Sequence, residues 1–332
     1  MFGNLRKNAY LCMLKLKLPS ERGKFKRMTL NQHTLRKPRT FAGKGLHTGT
    51  YSRMTVSPAP AGHGIVFRRT DLGDDALIPA LAEYVSSTAR STTLSKGEAA
   101  VATVEHILSA LTGMGIDNAM IDIDNIEVPI LDGSARFYVE AFAEDGLKDQ
   151  GVPRQMLTLP EAVEIKDAAT GSWIKIEPAE EPSCQITADF NSRVLGVQTA
   201  SWTPETDYAR EIGVCRTFVF FHEIEFLFKN GLIRGGDVDN AIVIVEHPVT
   251  EEQIAELSGL INKPALSVTD GGYLNNLELH FPNECGRHKL LDLLGDLRLS
   301  GGYLNAHVTA FKPGHTLNTN AAKAVRALLK QK

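Results

Sequence analysis

The sequence predicts an α+β fold of two similar α/β halves, each a sheet carrying helices, and three observations support this. Tyr51–Val56, Gly64–Phe67 and Ala119–Ile123 alternate or favour β-branched residues, the mark of strands. Val101–Leu111 has the helical period instead, with Val104, Ile107, Leu108 and Leu111 on one face. The third observation is an internal echo. A helix starting near His106 leads through Gly113-Met114-Gly115 to Asn118-Ala119 and a strand; one starting near His288 leads through Gly301-Gly302 to Asn305-Ala306 and a strand. Two related layers facing one another would each offer a histidine at a helix end, and ligand sites favour such domain interfaces.

Taken in order, residues 1–27 stand apart. Eight Lys and Arg face a single acid, Glu21, and the stretch Ala9–Leu14 is too short for a secretory signal. We expect a disordered extension, with Met28 as the start of the folded chain. The first half is expected over 28–150 and the second over 151–332, divided by a turn-rich passage around Gly146–Pro153. The second half should contain strands Ile174–Glu177 and Gln185–Phe190, a strand–helix–strand stretch at Cys215–Val245, and helices Gly286–Leu299 and Ala321–Leu329. Asp239-Asn240-Ala241-Ile242-Val243 is a third, partial echo.

Composition narrows the function. Of 332 residues, 43% are apolar and 23% charged, and the formal net charge is −3. A chain this long buries enough surface to need no metal for folding, so a bound metal would serve chemistry. No apolar run approaches the roughly 18–20 residues of a spanning helix, so stable membrane insertion is not expected. The near-neutral balance gives no reason to expect nucleic acid as a partner. The cysteines Cys12, Cys184, Cys215 and Cys285 form no CxxC pair, which argues against disulfides and a thiolate metal site and suits a reducing cytoplasm.

Two segments can carry chemistry. His288 and Asp292, four apart, share a helical face, and Asp296 continues the stripe. Leucines fill the other faces, and a buried His–Asp–Asp stripe is costly unless paired or metal-bound; a histidine–aspartate hydrogen bond in a polar seam is the plainer explanation. Glu105 and His106 point about 100° apart on a helix, so one could handle protons while the other binds metal. An acid favoured by a helix N-terminus is equally compatible. Together His106, His288 and Asp292 have the composition of a catalytic zinc site with a position left for water. His315, in a Pro-Gly-His loop, follows the second repeat's strand. His47 and the remaining histidines are expected to be structural or surface groups.

The motifs Gly45-Leu46-His47-Thr48-Gly49, Arg69-Thr70-Asp71-Leu72, Ser91-Thr92-Thr93-Leu94 and Thr103-Val104-Glu105-His106 occur in order. Gly115-Ile116-Asp117-Asn118, Pro129–Ala135, Arg216-Thr217-Phe218, Gly235-Gly236 with Asp239-Asn240-Ala241, His288-Lys289 with Asp292 and Gly295-Asp296, and Lys312 with Gly314-His315 follow. This series resembles the UDP-3-O-acyl-N-acetylglucosamine deacetylase family of lipid A biosynthesis, from about Thr34 to the C-terminus. The resemblance implies two similar domains with helices packed between two sheets. It implies His106, His288 and Asp292 as ligands of Zn²⁺, with Fe²⁺ able to use the same set. It further implies Glu105 as general base, His315 as the cationic partner of the oxyanion or leaving amine, Asp296 as its support, and Thr217 as an oxyanion donor. Lys289 and Lys312 would meet diphosphate and sugar, Phe190 would stack on uracil, and Phe218 would line the sugar or acyl pocket. The implied substrate is a UDP-linked acylated amino-sugar, in the bacterial cytoplasm; some relatives carry a fused dehydratase. Ile224, Leu227, Ile233 and Val238 would line an acyl groove or simply pack the core. Arg90 and Ile233 fall at positions where relatives vary.

A zinc amidase for another N-acetyl sugar would keep the metal set but need neither Lys289 nor Phe190. A non-catalytic nucleotide-sugar or lipid-binding protein would be favoured by loss of Glu105, His315 or a ligand, and all are present.

Overall fold

In a computed structural model, residues 31–330 are described, apart from residues 231, 233, 238 and 261–265. The basic arm 1–27, Met28, Cys12, Ile233 and Val238 therefore lie outside the described residues. Strands β1 (Arg39–Lys44), β2 (Tyr51–Pro58), β3 (Ile65–Arg69), β4 (Leu77–Pro79) and β5 (Ala119–Ile123) form a sheet in the order β1-β2-β5-β3-β4. Strands β6 (Val163–Asp167), β7 (Ser172–Pro178), β8 (Ser183–Asp189), β9 (Val197–Trp202) and β10 (Ala306–Phe311) form another in the order β6-β7-β10-β8-β9. Both orders follow one rule: the last strand inserts at the centre, antiparallel to the second and parallel to the third. The echo in the sequence is thus a duplicated topology.

Each sheet turns one face inward, as the two-residue period requires. Met54, Val56, Phe67, Ile121 and Ile123 line that face in the first sheet, and Ile174, Ile176, Ile186, Val308 and Ala310 in the second. In each half a helix precedes the central strand: α1 (Glu105–Gly113) in the first and α3 (Glu284–Leu297) in the second. A second helix follows it, α2 (Arg136–Asp145) or α4 (His315–Lys330). Ile107 to Leu111 of α1 and Leu290 to Asp296 of α3 are buried on every side, as helices packed between two layers must be. One continuous core joins both sheets to both helices.

Gly295 sets how closely α1 and α3 approach. A Cβ there would lie 2.1 Å from the carbonyl oxygen of Glu105, so only glycine admits this backbone contact. The far end of α1 is closed by Arg298, whose guanidinium donates to the carbonyls of Ile116 and Asp117. Arg154 holds Asp117 through two bonds of 2.7 Å.

Four expectations are corrected. Ala99–Val101 is a strand and the helix begins only at Glu105, because Ala102 enters a bridge with Glu127. The second long helix begins at Glu284, so His288 lies inside it rather than at its start; Glu284 is buried against Arg216 and Gln198 receives the Gly286 N–H. Leu147–Pro153 is a strand antiparallel to Asn31–Leu35, since its polar residues bond across that pair. His315 is the first residue of α4, not a loop residue. Between β9 and α3, strands Phe218–Phe220 and Ile242–Ile244 pair in parallel around helix Phe221–Lys229, with a small apolar cluster of their own. No helix among the described residues is long and apolar enough to cross a membrane.

Candidate active site

The close crossing at Gly295 brings the first turn of α1 against the middle of α3. His106 and His288 stand edge to face with ring centroids 5.0 Å apart. Their Nε2 atoms lie 3.7 and 3.4 Å from Asp292 Oδ1. All three donor atoms fall within 4.8 Å of one another. Asp292 Oδ1 is buried without a hydrogen-bond partner, while Oδ2 accepts from Lys289 Nζ at 2.9 Å. An orphaned carboxylate oxygen is costly in a core, and its lone pairs suit a cation. His288 Nδ1 donates to the Cys215 carbonyl at 3.1 Å, which leaves Nε2 as the free lone pair.

The electrostatics agree. Burial pushes His106 down to about 3, and the neighbouring His288 adds to this. Burial also lowers His288, against the pull of Asp292. Burial alone would raise Asp292, but His288, Lys289, His315 and His106 hold it far below the usual carboxylate range. Two neutral imidazoles and one carboxylate are a donor set suited to a divalent cation.

Beside this cluster lies a second group. Burial raises the Glu105 carboxyl to about 8, with His315 opposing and Asp296 and Asp292 reinforcing it. Glu105 Oε2 accepts from the Thr92 N–H at 3.0 Å, and Oε1 lies 3.9 Å from His315 Nε2. His315 Nδ1 donates to Asp296 Oδ2 at 3.0 Å. Burial would lower His315, but Asp296 and then Glu105 outweigh it and raise its pKa to about 9. A cation at a helix N-terminus faces the wrong end of the dipole, and fully buried Asp296 compensates. Asp296 also accepts from Thr92 Oγ1 at 2.6 Å and Asn318 Nδ2 at 2.9 Å.

Both groups open on a cavity of about 350 Å³. Thr217, Phe218, Phe190 and Lys289 line it together with His106, His288, Asp292, Glu105 and His315. Thr217 is fixed through its backbone: its N–H donates to Gly133 and its carbonyl accepts from Ile242. Gly133 must be glycine, since it has φ +79° and a Cβ would meet the Asn240 oxygen at 2.0 Å. Phe190 and Phe218 meet edge to face at 5.1 Å, and Lys289 Nζ sits 5.4 Å from the Phe218 ring centre. Ile224 lines the cavity, whereas Leu227 is buried away from it. Asp296 stands behind His315, and Lys312 lies outside the lining, ion-paired with Asp189 at 3.1 Å.

The structure adds residues the sequence reading passed over. His47 lines the cavity with Nε2 buried and unpartnered. Arg90 and Thr103 also line it, at φ +68° and +60°. For a β-branched residue that conformation costs about 1–3 kcal/mol. Thr92 and Asn318 complete the surroundings of Asp296. Their motifs were visible, but nothing in a sequence marks a non-glycine residue for positive φ.

Residues 32–258 and 252–327 match the family LpxC, described as UDP-3-O-acyl N-acetylglycosamine deacetylase. A protein of that deacetylase name from Trichormus variabilis is 41% identical over 305 residues, 90% of this chain and 99% of its own length. One from Myxococcus xanthus is 40% identical over 296 residues, 89% of this chain and 86% of its own. A bifunctional enzyme LpxC/FabZ from Bacteroides thetaiotaomicron is 40% identical over 297 residues, 90% of this chain. The chain spans 64% of the length of that bifunctional relative. With the matched segments running from the first sheet to α4, this chain belongs to the UDP-3-O-acyl N-acetylglycosamine deacetylase family.

Proposed function

We propose that this protein hydrolyses the N-acetyl group of UDP-3-O-[(3R)-hydroxyacyl]-N-acetylglucosamine, giving the free amine and acetate, as a step of bacterial lipid A synthesis in the cytoplasm. The observation that carries this reading is the orphaned Oδ1 of Asp292 between the Nε2 atoms of His106 and His288, with Glu105 and His315 beside it. His106, His288 and Asp292 would hold Zn²⁺, or Fe²⁺ in its place. A cation held there would supply Lewis acidity toward water and the acetamide carbonyl.

The chain's own groups do the rest. Glu105, whose carboxyl burial raises to about 8, in its ionised form takes the proton from the attacking water. The Thr217 hydroxyl donates to the oxygen on which negative charge develops. His315, charged at neutral pH, stabilises that charge and delivers a proton to the departing nitrogen as the C–N bond breaks. Asp296 keeps its ring oriented and protonated. Lys289 faces the same cavity and suits the diphosphate and sugar, Phe190 stacks on the uracil, and Phe218 and Ile224 border the acyl chain. Lys312 reaches the substrate once it exchanges its partner Asp189 for phosphate. The division expected at residues 150 and 151 moves in this reading past the end of the strand Leu147–Pro153, which pairs with Asn31–Leu35, and a dehydratase is a fitting functional neighbour.

The test is acetate release from the acylated UDP-sugar with and without chelator, beside Glu105→Ala and His315→Ala. Metal-dependent turnover that collapses in both variants supports the reading. One bound cation without turnover on any acyl length overturns the substrate.

A further inference from the structure

Among the buried carboxylates that the mechanism leaves unused, Glu127 differs from Glu284 and Asp117, which are paired with Arg216 and Arg154. Glu127 lies between the first sheet and the Pro129–Ala135 motif, and among the described residues it meets no cation within ion-pairing distance. Its two oxygens accept four hydrogen bonds. Oε1 takes the His47 N–H at 2.9 Å and the Thr103 hydroxyl at 2.9 Å. Oε2 takes the Thr48 N–H at 2.8 Å and the Thr48 hydroxyl at 2.6 Å. Four donors and no acceptor around one carboxyl match its ionised form.

Those bonds lead to two places that matter. One is the turn Gly45–Gly49. Gly45 leaves room for the carboxylate, since a Cβ there would lie 2.3 Å from Glu127 Oε2. The turn docks on the segment between the two inserted strands: Gly235 N–H donates to the Leu46 carbonyl at 3.0 Å, and His47 Nδ1 to the Leu232 carbonyl at 3.0 Å. The other place is Thr103, at φ +60°, two residues before Glu105 and three before His106. A threonine holds that backbone only where surroundings impose it. The Glu127 bond to its hydroxyl is such a constraint, and it fixes the angle at which α1 enters the site.

We propose that Glu127 is a positioning residue: one buried carboxylate that holds Thr103 in its left-handed conformation, so aiming Glu105 and His106, and at the same time pins the Gly45–Gly49 turn that presents His47 to the cavity. It acts through other groups and touches neither substrate nor cation. Its effect on turnover rests on the reaction proposed above; its effect on cation binding does not.

Glu127→Gln keeps the shape but turns an amide N–H toward donors, and Thr103→Gly removes the need for a constraint because glycine adopts positive φ freely. Parent, both single variants and the double variant are stripped of metal and titrated with Zn²⁺ against a chromophoric chelator; kcat and KM for acetate release are measured alongside. Glu127→Gln should weaken Zn²⁺ binding and lower kcat by about ten-fold or more, the range for groups that orient a ligand, and Thr103→Gly should restore a large part of both losses in the double variant. Values within two-fold of the parent for Glu127→Gln, or losses that Thr103→Gly leaves untouched, overturn the proposal. If Glu127→Gln does not fold, Thr103→Val and Thr103→Ser decide: the first must lose Zn²⁺ affinity and the second, which keeps the hydroxyl, must retain it. A parent that binds Zn²⁺ yet releases no acetate overturns the reaction and leaves the titration to judge Glu127.

Discussion

His315 and Asp292 illustrate how single side chains gain their roles from what surrounds them. Asp292→Asn removes the charge that faces four nearby basic groups, His288, Lys289, His315 and His106, and replaces one oxygen with an amide. Cation affinity should fall by at least about 100-fold, measured by competition with a chelator. His315 keeps its proton up to about pH 9, above its ordinary 6.5, because Asp296 outweighs burial. A raised histidine value means the pairing stabilises the fold fully below 6.5 and is lost as pH rises through 9. The alkaline limb of kcat/KM should therefore lie near pH 9, and Asp296→Asn should move it toward neutrality and cut kcat by roughly 10²–10⁴-fold. A pH–rate profile of both proteins checks this; an unmoved limb removes Asp296 from its role. At this scale the sequence was informative. The i, i+4 spacing of His288 and Asp292 and the Glu105-His106 pair were readable as chemistry. His47, Thr92 and Asn318 were not, because their importance comes from partners more than 20 residues away in the chain.

At the scale of elements, the α1–α3 crossing is the main constraint. Gly295→Ala must push a methyl into the Glu105 carbonyl, so the helices separate and the donor atoms spread. A loss of about 1–3 kcal/mol or more in stability, with weakened cation binding, is expected from thermal melts and metal titration. The other end of the molecule is tied differently. Glu83 of the first half holds Arg326 and Lys330 of α4, and although burial opposes it, these cations bring its pKa down to about 2. A depressed acid contributes stability above its ordinary 4.5 that is lost as pH falls toward 2. Arg326→Ala should therefore lower Tm at pH 7 and leave little difference from the parent near pH 2.5. Element types were legible from periodicity, whereas their ends were set by long-range contacts. The Leu147–Pro153 strand exists because Asn31–Leu35 pairs with it, and α3 starts early because Arg216 and Gln198 stabilise its first turn.

At the scale of the whole molecule, the duplicated strand order gives two frames that share one core. The chemistry is divided unequally: α1 brings Glu105 and His106, while α3 and α4 bring His288, Asp292, Asp296 and His315. Segments 31–154 and 155–330 expressed separately should show no cooperative melt and no stoichiometric Zn²⁺ binding, because α1 and α3 bury a large part of their apolar surface against each other. A sharp melt from either segment alone would mean that the core is less shared than the continuous packing of both sheets against both helices suggests.

The inserted strands Phe218–Phe220 and Ile242–Ile244 keep a small apolar cluster separate from the main core, yet Phe218, Val219 and Val243 line the same cavity as the helix crossing. The donor cluster and this wall of the cavity therefore belong to different parts of the molecule. Substitutions among Ile224, Val243 and Leu257 should reshape the cavity, and the group of His106, His288 and Asp292, fixed by two backbones in contact, is left as it was.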